Sequence, residues 1–218
     1  MRRALIFANG ELSPGPMVDR AVEEAGTDAL LVAADGGTRH ALALGLMPHV
    51  VIGDLDSVGQ EVLAQVTAGG AEIQQFPPAK DETDLELALS YAVRQGARWL
   101  RVIGALGGRL DQTLANVLLL TLPALQGCDI RLVAGRQAAY VITSGEHVIE
   151  GNVGDTVSLI PLGGDAGQVR TEGLVYPLDN ERLAFGPARG VSNELALPVA
   201  HVTVGQGHIL VVHTLGRA

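Results

Sequence analysis

Short apolar runs alternate with longer amphipathic stretches over about the first 135 residues of the chain. The runs are too short for helices and rich in Val, Ile, Leu and Ala, so each predicts a buried strand. They read ALIFAN, ALLVAAD, HVVIGD, AEIQQF, WLRVIGA and DIRLVAG. The stretches between them have helical length, and several end in glycine, as helices often do. This alternation predicts a parallel sheet with crossover helices.

The pattern changes after residue 135, where short strands are separated by glycine-rich turns and no helical period appears. The strands read AAYVITSG, DTVSLIPLGG, QVRTEGLVY, ERLAFG, AHVTVG and HILVVHTL. Such spacing predicts a small antiparallel β-sandwich. We therefore expect an α/β fold with a Rossmann-like parallel sheet and flanking helices over residues 1–137, followed by a β-sandwich over residues 138–218.

Polar residues and glycines follow five successive strands of the predicted sheet. The segments are Asn9-Gly10, ADGG, GDLDS, PAKDETD and GALGGRLDQ. Ligands of open α/β sheets bind outside the carboxyl ends of the strands, so these segments predict one binding cleft. The cleft would collect five aspartates, namely Asp35, Asp54, Asp56, Asp84 and Asp111.

Asp54 and Asp56 would point to the same side of an extended segment, because alternate residues of a strand share a face. Two carboxylates roughly 5 Å apart repel by about 3 kcal/mol at an effective dielectric constant of ~20. Lys80 and Arg109 are too few to neutralise all five aspartates. Since Mg²⁺ prefers carboxylate oxygens, waters and phosphates, we expect Asp54 and Asp56 to hold Mg²⁺ that carries a nucleotide's phosphates.

The stretch GALGGR is suited to phosphate binding on the other side of this cleft. Glycines would let the backbone N–H groups at the start of a helix approach the phosphates. Arg109 would add a forked, charged donor.

Each of these segments also has a simpler interpretation as a local structural signal. Asp35 with Gly36 and Gly37 is typical of a turn. Asp56-Ser57 is a possible helix N-cap, and Asp81 with Asp84 has the spacing of a capping box. Arg109 is equally compatible with an exposed first-turn position. These interpretations do not account for the collection of all the aspartates at one edge.

Composition narrows the class of protein. The formal net charge of −9 argues against nucleic-acid binding, because no basic stripe is present. The single cysteine, Cys128, favours a reducing compartment. The apolar run at the N-terminus is interrupted too early for a signal peptide, and no apolar stretch has membrane-spanning length. We therefore expect a cytoplasmic protein with neither a nucleic-acid nor a membrane partner. No Walker, GxGxxG or HExxH motif is present.

The ordered set of motifs ADGG, GDLDS, KDETDLELAL, GALGGRLDQTLAN, GLVYPL and VSNEL resembles the thiamine pyrophosphokinase (thiamine diphosphokinase) family. The resemblance extends over nearly the whole chain. It implies an α/β domain that binds ATP and Mg²⁺, a β-sandwich that binds thiamine, and a homodimer. It also implies transfer of a pyrophosphoryl group from ATP to the thiamine hydroxyl, with release of AMP.

The resemblance also implies roles for individual residues. Asp54, Asp56 and Asp84 would be the Mg²⁺ ligands, and Arg109 and Asp111 would lie at the phosphates and the reacting hydroxyl. Asp111 or Asp84 would accept the proton of that hydroxyl, and Asp111 is the preferred of the two. Nucleotide-binding positions would be Asp35, Gly36, Gly37, Lys80, Gly107, Gly108 and Gln112, the last standing where many relatives have His. Thiamine contacts would be Tyr176, Ser192 and Asn193.

Three alternatives remain open from the sequence. The same scaffold would serve a pyrophosphokinase for another alcohol, such as a hydroxymethylpterin. GDLDS alone would serve a metal-dependent phosphohydrolase. A noncatalytic sensor of a nucleotide or vitamin would use the same binding residues without turnover.

Overall fold

The structure, a computed structural model, describes residues 1–218 and divides into two compact units, Met1–Gly135 and Arg136–Ala218. The division lies two residues before the boundary that we placed after residue 137. No helix in either unit has the length and apolar character needed to cross a membrane.

The first unit contains a six-stranded sheet in which every neighbouring pair is parallel. Its strands are β1 (Arg2–Phe7), β2 (Leu30–Ala34), β3 (Val50–Gly53), β4 (Glu72–Gln75), β5 (Ala97–Ile103) and β6 (Asp129–Ala134). They lie in the order β4-β3-β2-β1-β5-β6. The chain therefore reverses its direction of travel across the sheet between β1 and β5, which is where ligands of such folds bind.

Five helices connect these strands, as the alternating pattern predicts. They are α1 (Pro16–Ala25), α2 (Thr38–Ala43), α3 (Gln60–Ala68), α4 (Asp84–Arg94) and α5 (Leu110–Leu119). Leu85, Ala88, Leu89 and Ala92 form the buried face of α4, which packs on β2, β3 and β5. Their three- and four-residue spacing is that of an amphipathic helix, so the apolar pattern itself positions Asp84 at the edge of the sheet.

The second unit is built entirely of strands with antiparallel pairing. They are β7 (Gln137–Ile142), β8 (Gly145–Glu150), β9 (Thr156–Glu172), β10 (Glu181–Leu183), β11 (Asn193–Glu194), β12 (Val199–Val204) and β13 (Gln206–Thr214). Side chains from β7, β8, β9, β12 and β13 form one buried apolar core. The predicted fold class is thus confirmed in both units.

One strand of this unit differs from the prediction. Gly163 and Gly164 were expected to end a strand, yet β9 runs through them for 17 residues. Its first half pairs with β13, and its last residues pair with β12. The glycines lie at a register shift within the β9–β13 pairing, between Leu162 and Gly167, so they mark an irregularity in the strand rather than a chain reversal.

Candidate active site

A cavity of about 620 Å³ opens at the carboxyl ends of β1, β2 and β5, where the strand order reverses. Seven of the residues assigned a catalytic, metal-binding or nucleotide-binding role line it, namely Asp35, Lys80, Asp84, Gly107, Gly108, Arg109 and Gln112. Asn9, Glu11 and Asn116 also contribute to the wall. A cleft is therefore present at the predicted edge of the sheet, but of the five expected aspartates only Asp35 and Asp84 line it.

Three aspartates converge beside this cavity. Asp35 follows β2, Asp54 follows β3, and Asp84 is the first residue of α4. Each offers a carboxylate oxygen, and these three oxygens lie within 4.8 Å of one another. Such an arrangement of hard oxygen donors suits a divalent cation such as Mg²⁺.

Asp35 is the most buried member of this carboxylate cluster, at 4% exposure. Its backbone has a φ of +46°, which is uncommon for a residue with a side chain. Its Oδ1 accepts a hydrogen bond from the Ser57 backbone N–H at 3.3 Å, and its Oδ2 accepts one from Asn9 Nδ2 at 3.4 Å. The carboxylate is therefore held in place by two neighbouring loops.

The two glycines of ADGG are explained by close packing. A Cβ on Gly36 would lie 2.2 Å from Asn9 Oδ1, and one on Gly37 would lie 2.0 Å from the Phe7 carbonyl oxygen. Neither glycine lines the cavity. Their nucleotide-binding role stays a prediction, while their role in seating Asp35 against β1 follows from these distances.

The expectation that Asp54, Leu55 and Asp56 form an extended segment is wrong. Strand β3 ends at Gly53, and Leu55 has a φ of +69°, so the chain turns between the two aspartates. Asp56 is exposed, accepts a hydrogen bond from Ser57 Oγ at 2.7 Å, and lies outside the carboxylate cluster. The cluster contains Asp35 in addition to Asp54 and Asp84, and the role of Asp56 as a metal ligand stays a prediction.

The capping interpretations are also replaced. Helix α4 is capped by Thr83, whose Oγ1 accepts a hydrogen bond from the Glu86 N–H, and α3 begins after Gly59 rather than at Asp56-Ser57. Asp84 is thus not occupied as a cap. Its carboxylate is free to face the cluster.

Asp84 carries the clearest electrostatic signature of the site. Lys80 Nζ lies 3.0 Å from its Oδ1, but the contact lacks hydrogen-bond geometry, and this buried oxygen has no hydrogen-bond partner. Burial raises the pKa of the Asp84 carboxyl by more than Lys80 lowers it, and Asp54 and Asp35 raise it further. A buried carboxylate oxygen that has one ion-pair contact and no well-formed hydrogen bond, and that lies next to two further carboxylates, favours a bound cation.

Gly53 keeps the space between two of these carboxylates open. A Cβ at this position would lie 3.1 Å from Asp35 Cβ, 3.1 Å from Asp84 Cγ and 3.2 Å from Asp84 Oδ1. Any side chain here would press on both aspartates. The glycine that ends β3 is therefore part of the site's architecture.

The opposite wall of the cavity is exposed. Arg109 stands at the N-cap position of α5 without a side-chain capping bond, and it forms a two-point ion pair with Asp111, with Nη2 at 2.5 Å from Oδ2 and Nε at 3.1 Å from Oδ1. The side chains are 72% and 65% exposed. Their hydrogen bonds lower the pKa of Asp111 and raise that of Arg109. Asp111 itself does not line the cavity.

The second unit brings two of the predicted thiamine contacts together. Asn193 Oδ1 accepts a hydrogen bond from the Tyr176 N–H at 3.0 Å, and Asn193 Nδ2 donates one to the Tyr176 carbonyl at 2.7 Å. The Tyr176 residue is 69% exposed, whereas Asn193 is 9% exposed. Asn193 thus holds the backbone of Tyr176, and the tyrosine ring is left available. Ser192 adopts a φ of +60° beside them.

Sequence reasoning missed Arg39 and Asn116. Arg39 donates to the Ser57 carbonyl and, at 3.4 Å, to Asn9 Oδ1, so it joins two loops that hold Asp35. Asn116 Nδ2 donates to the Ala105 carbonyl at 2.7 Å at the base of the cavity. Asn9 had a signal, since it ends the first strand, but the sequence gives no sign of what Arg39 contacts.

Two family models match the chain. A model of the thiamin pyrophosphokinase catalytic domain matches residues 23–132, and a model of the thiamin pyrophosphokinase vitamin B1 binding domain matches residues 146–209. The chain belongs to the thiamin pyrophosphokinase family. The resemblance carried by the motifs is thereby confirmed.

Individual members of the thiamin pyrophosphokinase family agree with this assignment. The thiamine pyrophosphokinase of Bacillus subtilis is 27% identical over 186 residues, covering 85% of this chain and 87% of that protein. Thiamine pyrophosphokinase 1 of Oryza sativa subsp. japonica is 30% identical over 166 residues, covering 72% and 62%.

Crystal structures extend the comparison to the fold. That of the Bacillus subtilis thiamine pyrophosphokinase superposes with a TM-score of 0.87 at 26% identity, covering 98% of this chain and 99% of that chain. That of the Geobacillus thermodenitrificans thiamin pyrophosphokinase superposes with a TM-score of 0.82 at 27% identity, covering 98% and 97%.

Proposed function

We propose that this chain is a thiamine diphosphokinase that transfers the pyrophosphoryl group of ATP to the hydroxyl of thiamine, giving thiamine diphosphate and AMP. Membership of the family supports the reaction. The observation that carries the proposal for this chain is the convergence of Asp35, Asp54 and Asp84 beside a cavity that is large enough for a nucleotide.

The residues present fit Mg²⁺. All three donors are carboxylates, Asp84 Oδ1 has no hydrogen-bond partner, and Gly53 leaves the space between the donors clear. Asp35, Asp54 and Asp84 would hold the ion, with Asp56 at the rim of the same turn. Bound Mg²⁺ would neutralise and orient the phosphates of ATP.

The chain's own contribution to the reaction is positioning and charge. Lys80, Gly107, Gly108 and Gln112 line the cavity where the phosphates of ATP would lie. Arg109 stands at the same wall and would exchange its exposed contact with Asp111 for a phosphate oxygen. Preorganised donors of this kind supply most of the rate in phosphoryl transfer.

The proton of the thiamine hydroxyl would pass to Asp111. While Arg109 is paired with Asp111, the lowered pKa makes that carboxylate a poor acceptor. Transfer of Arg109 to a phosphate would remove the largest cause of the lowered pKa, so Asp111 would become a better acceptor, although the backbone N–H groups of Asp111 and Gln112 would still lower its pKa. Binding of ATP would thus prepare the acceptor.

Thiamine binding is assigned to the second unit, and ATP and Mg²⁺ binding to the first. The exposed ring of Tyr176 would stack on the cationic heterocycle, and Ser192 and Asn193 flank it in the same segment. Asn193 would act mainly by fixing Tyr176, since its amide is already engaged.

A homodimer is part of the proposal. Leu110, Leu114 and Leu118 lie one turn apart along α5 and are 72%, 57% and 54% exposed. An apolar stripe of this kind favours burial against another chain. A cytoplasmic location stays a prediction that rests on the single cysteine, Cys128, on the early interruption of the N-terminal apolar run and on the lengths of the apolar stretches.

Incubation of the purified chain with Mg²⁺ and ATP tests the function. We expect AMP and thiamine diphosphate in equal amounts, and only when thiamine is present. Orthophosphate without any acceptor would indicate a phosphohydrolase, AMP with a hydroxymethylpterin alone would indicate another acceptor, and binding without turnover would indicate a sensor. Each of these three outcomes contradicts the proposal.

A further inference from the structure

The only lysine in the chain lies at the carboxylate cluster. The sequence has fourteen arginines and one lysine, Lys80. The Lys80 side chain is only 11% exposed and lies against Asp84, in the wall of the cavity. Every other basic side chain apart from the histidines is a guanidinium, so this position is chemically distinct.

The ammonium group is placed where a cation would act on the cluster. Lys80 Nζ lies 3.0 Å from Asp84 Oδ1, which has no hydrogen-bond partner. The same oxygen faces Gly53, across which lies Asp35. A compact ammonium is a point charge that fits among carboxylates, whereas a planar guanidinium needs a broader, forked partner.

We propose that Lys80 and a divalent cation compete for Asp84, so that Lys80 sets the cation affinity of the cluster. The inference rests on the cation site of the proposed function. The ammonium and the divalent cation would both bind the Asp84 carboxylate, and two positive charges next to one carboxylate repel each other. Because Lys80 also lines the cavity, an ammonium released from Asp84 stays available to an anionic ligand.

A purely structural ion pair makes a different prediction. If Lys80 served only to hold the start of α4, its removal would lower stability and leave cation binding unchanged or weaker. Competition predicts tighter cation binding instead, because removal of the ammonium leaves the Asp84 carboxylate to the divalent cation alone.

Calorimetric titration of the full chain with Mn²⁺, without nucleotide, separates the two. We expect Lys80→Met to bind Mn²⁺ at least about fivefold more tightly than the native chain, because a nearby like charge is removed. Arg20→Met is the matched control: it removes the same charge from an exposed pair on α1, and screening should leave its Mn²⁺ affinity within about twofold of native. Unchanged or weaker binding by Lys80→Met, or no Mn²⁺ binding by any of these chains, overturns the proposal.

A second measurement keeps the positive charge at Lys80 and does not depend on how a substitution at this position affects folding. Reductive ¹³C-methylation labels only the N-terminal amine and Lys80, because the chain has no other lysine. Lys80→Arg identifies its signal by removing it. We expect Mg²⁺ to shift this signal along a saturating curve, and a signal unmoved at saturating Mg²⁺ contradicts competition.

The outcomes also separate this inference from the proposed function. Native thiamine diphosphate synthesis combined with unchanged Mn²⁺ affinity in Lys80→Met refutes the competition alone. Tighter Mn²⁺ binding in that variant, without synthesis by the native chain, supports the competition and refutes the assigned reaction.

Discussion

Asp84 in the first unit and Asp155 in the second both place carboxylate oxygens away from solvent, but their surroundings are opposite. Asp155 Oδ1 accepts from the Gly216 N–H at 2.7 Å, and its Oδ2 accepts from the Asn152 N–H at 2.9 Å and lies 3.0 Å from His213 Nε2. Asp84 Oδ1 has only the misaligned contact with Lys80.

The pKa values of Asp155 and Asp84 move in opposite directions because burial and hydrogen bonding are balanced differently at the two carboxyls. Burial would raise the pKa of Asp155, but its hydrogen bonds from Asn152, Gly216 and His213 outweigh burial and lower it. Burial prevails at Asp84, and the pKa is raised. A buried carboxylate whose oxygens all accept hydrogen bonds is typical of a structural role. A buried carboxylate that lacks such hydrogen bonds and lies among like charges is typical of a ligand-binding site.

The largest expected effect is the loss of activity on substitution of an aspartate of the carboxylate cluster. Asp54→Asn should lower turnover by about 10²–10³-fold, as loss of a preorganised charge does in other active sites. The fold should remain, because removing one of three close carboxylates relieves repulsion. Assays of thiamine diphosphate formation and thermal unfolding measure both quantities.

Asp56→Asn is the control for that variant, since Asp56 carries the same charge outside the cluster. It should lose much less activity than Asp54→Asn. Equal losses, or near-normal activity of Asp54→Asn at saturating Mg²⁺, would contradict the assignment of the cluster.

Asp155→Asn should have the complementary effect, on stability. Placing an amide NH₂ against N–H donors should lower the free energy of unfolding by about 1–3 kcal/mol at neutral pH. Because the folded pKa of Asp155 is lowered, its stabilisation is complete above the unfolded value of about 3.9 and is lost as the pH falls through the folded value. Urea unfolding at several pH values should show the native and variant curves converging below about pH 4. A difference that persists or grows in acid would argue against this role.

A pair of glycines sharpens the comparison. A Cβ at Gly53 would press on Asp35 and Asp84, and one at Gly151 would lie 2.7 Å from Asp155 Oδ2 and 2.9 Å from His213 Cε1. Gly53→Ala should lower activity about tenfold, because even a small displacement of Asp35 and Asp84 from their positions slows the reaction. Gly151→Ala should instead lower the thermal unfolding midpoint. If Gly53→Ala lowers the thermal unfolding midpoint but leaves activity unchanged, the assignment of Gly53 to the active site is contradicted.

The exposed Arg109–Asp111 pair should give the smallest change. A solvent-exposed ion pair contributes little to stability, so Arg109→Ala should leave the unfolding midpoint unchanged. Its KM for ATP should rise by about tenfold, through loss of a charge-assisted contact to phosphate. An unchanged KM together with unchanged turnover would show that Arg109 is only a surface residue.

Much of the cluster was predictable because it follows from topology. Parallel strands bring their carboxyl ends to one edge, so Asp35, Asp54 and Asp84 were expected to be neighbours before any side-chain geometry was known. The apolar period of α4 then places Asp84 at that edge.

Other features depend on single backbone angles or on distant partners. The left-handed turn at Leu55 replaces the extended segment expected for Asp54 and Asp56, and a non-glycine residue gives no sequence sign of such a φ. Asp155 and His213 are 58 residues apart, so their pairing exists only in the folded unit. The path of β9 through two glycines was missed because glycine marks bends and turns alike.

The central claim is that Asp35, Asp54 and Asp84 hold the catalytic cation. Anomalous diffraction from crystals grown with Mn²⁺ and a nonhydrolysable ATP analogue tests this claim most directly. The account predicts a strong peak within about 2.5 Å of carboxylate oxygens from Asp35, Asp54 and Asp84, next to the analogue's phosphates. A peak elsewhere in the chain, with none at this cluster, would contradict it.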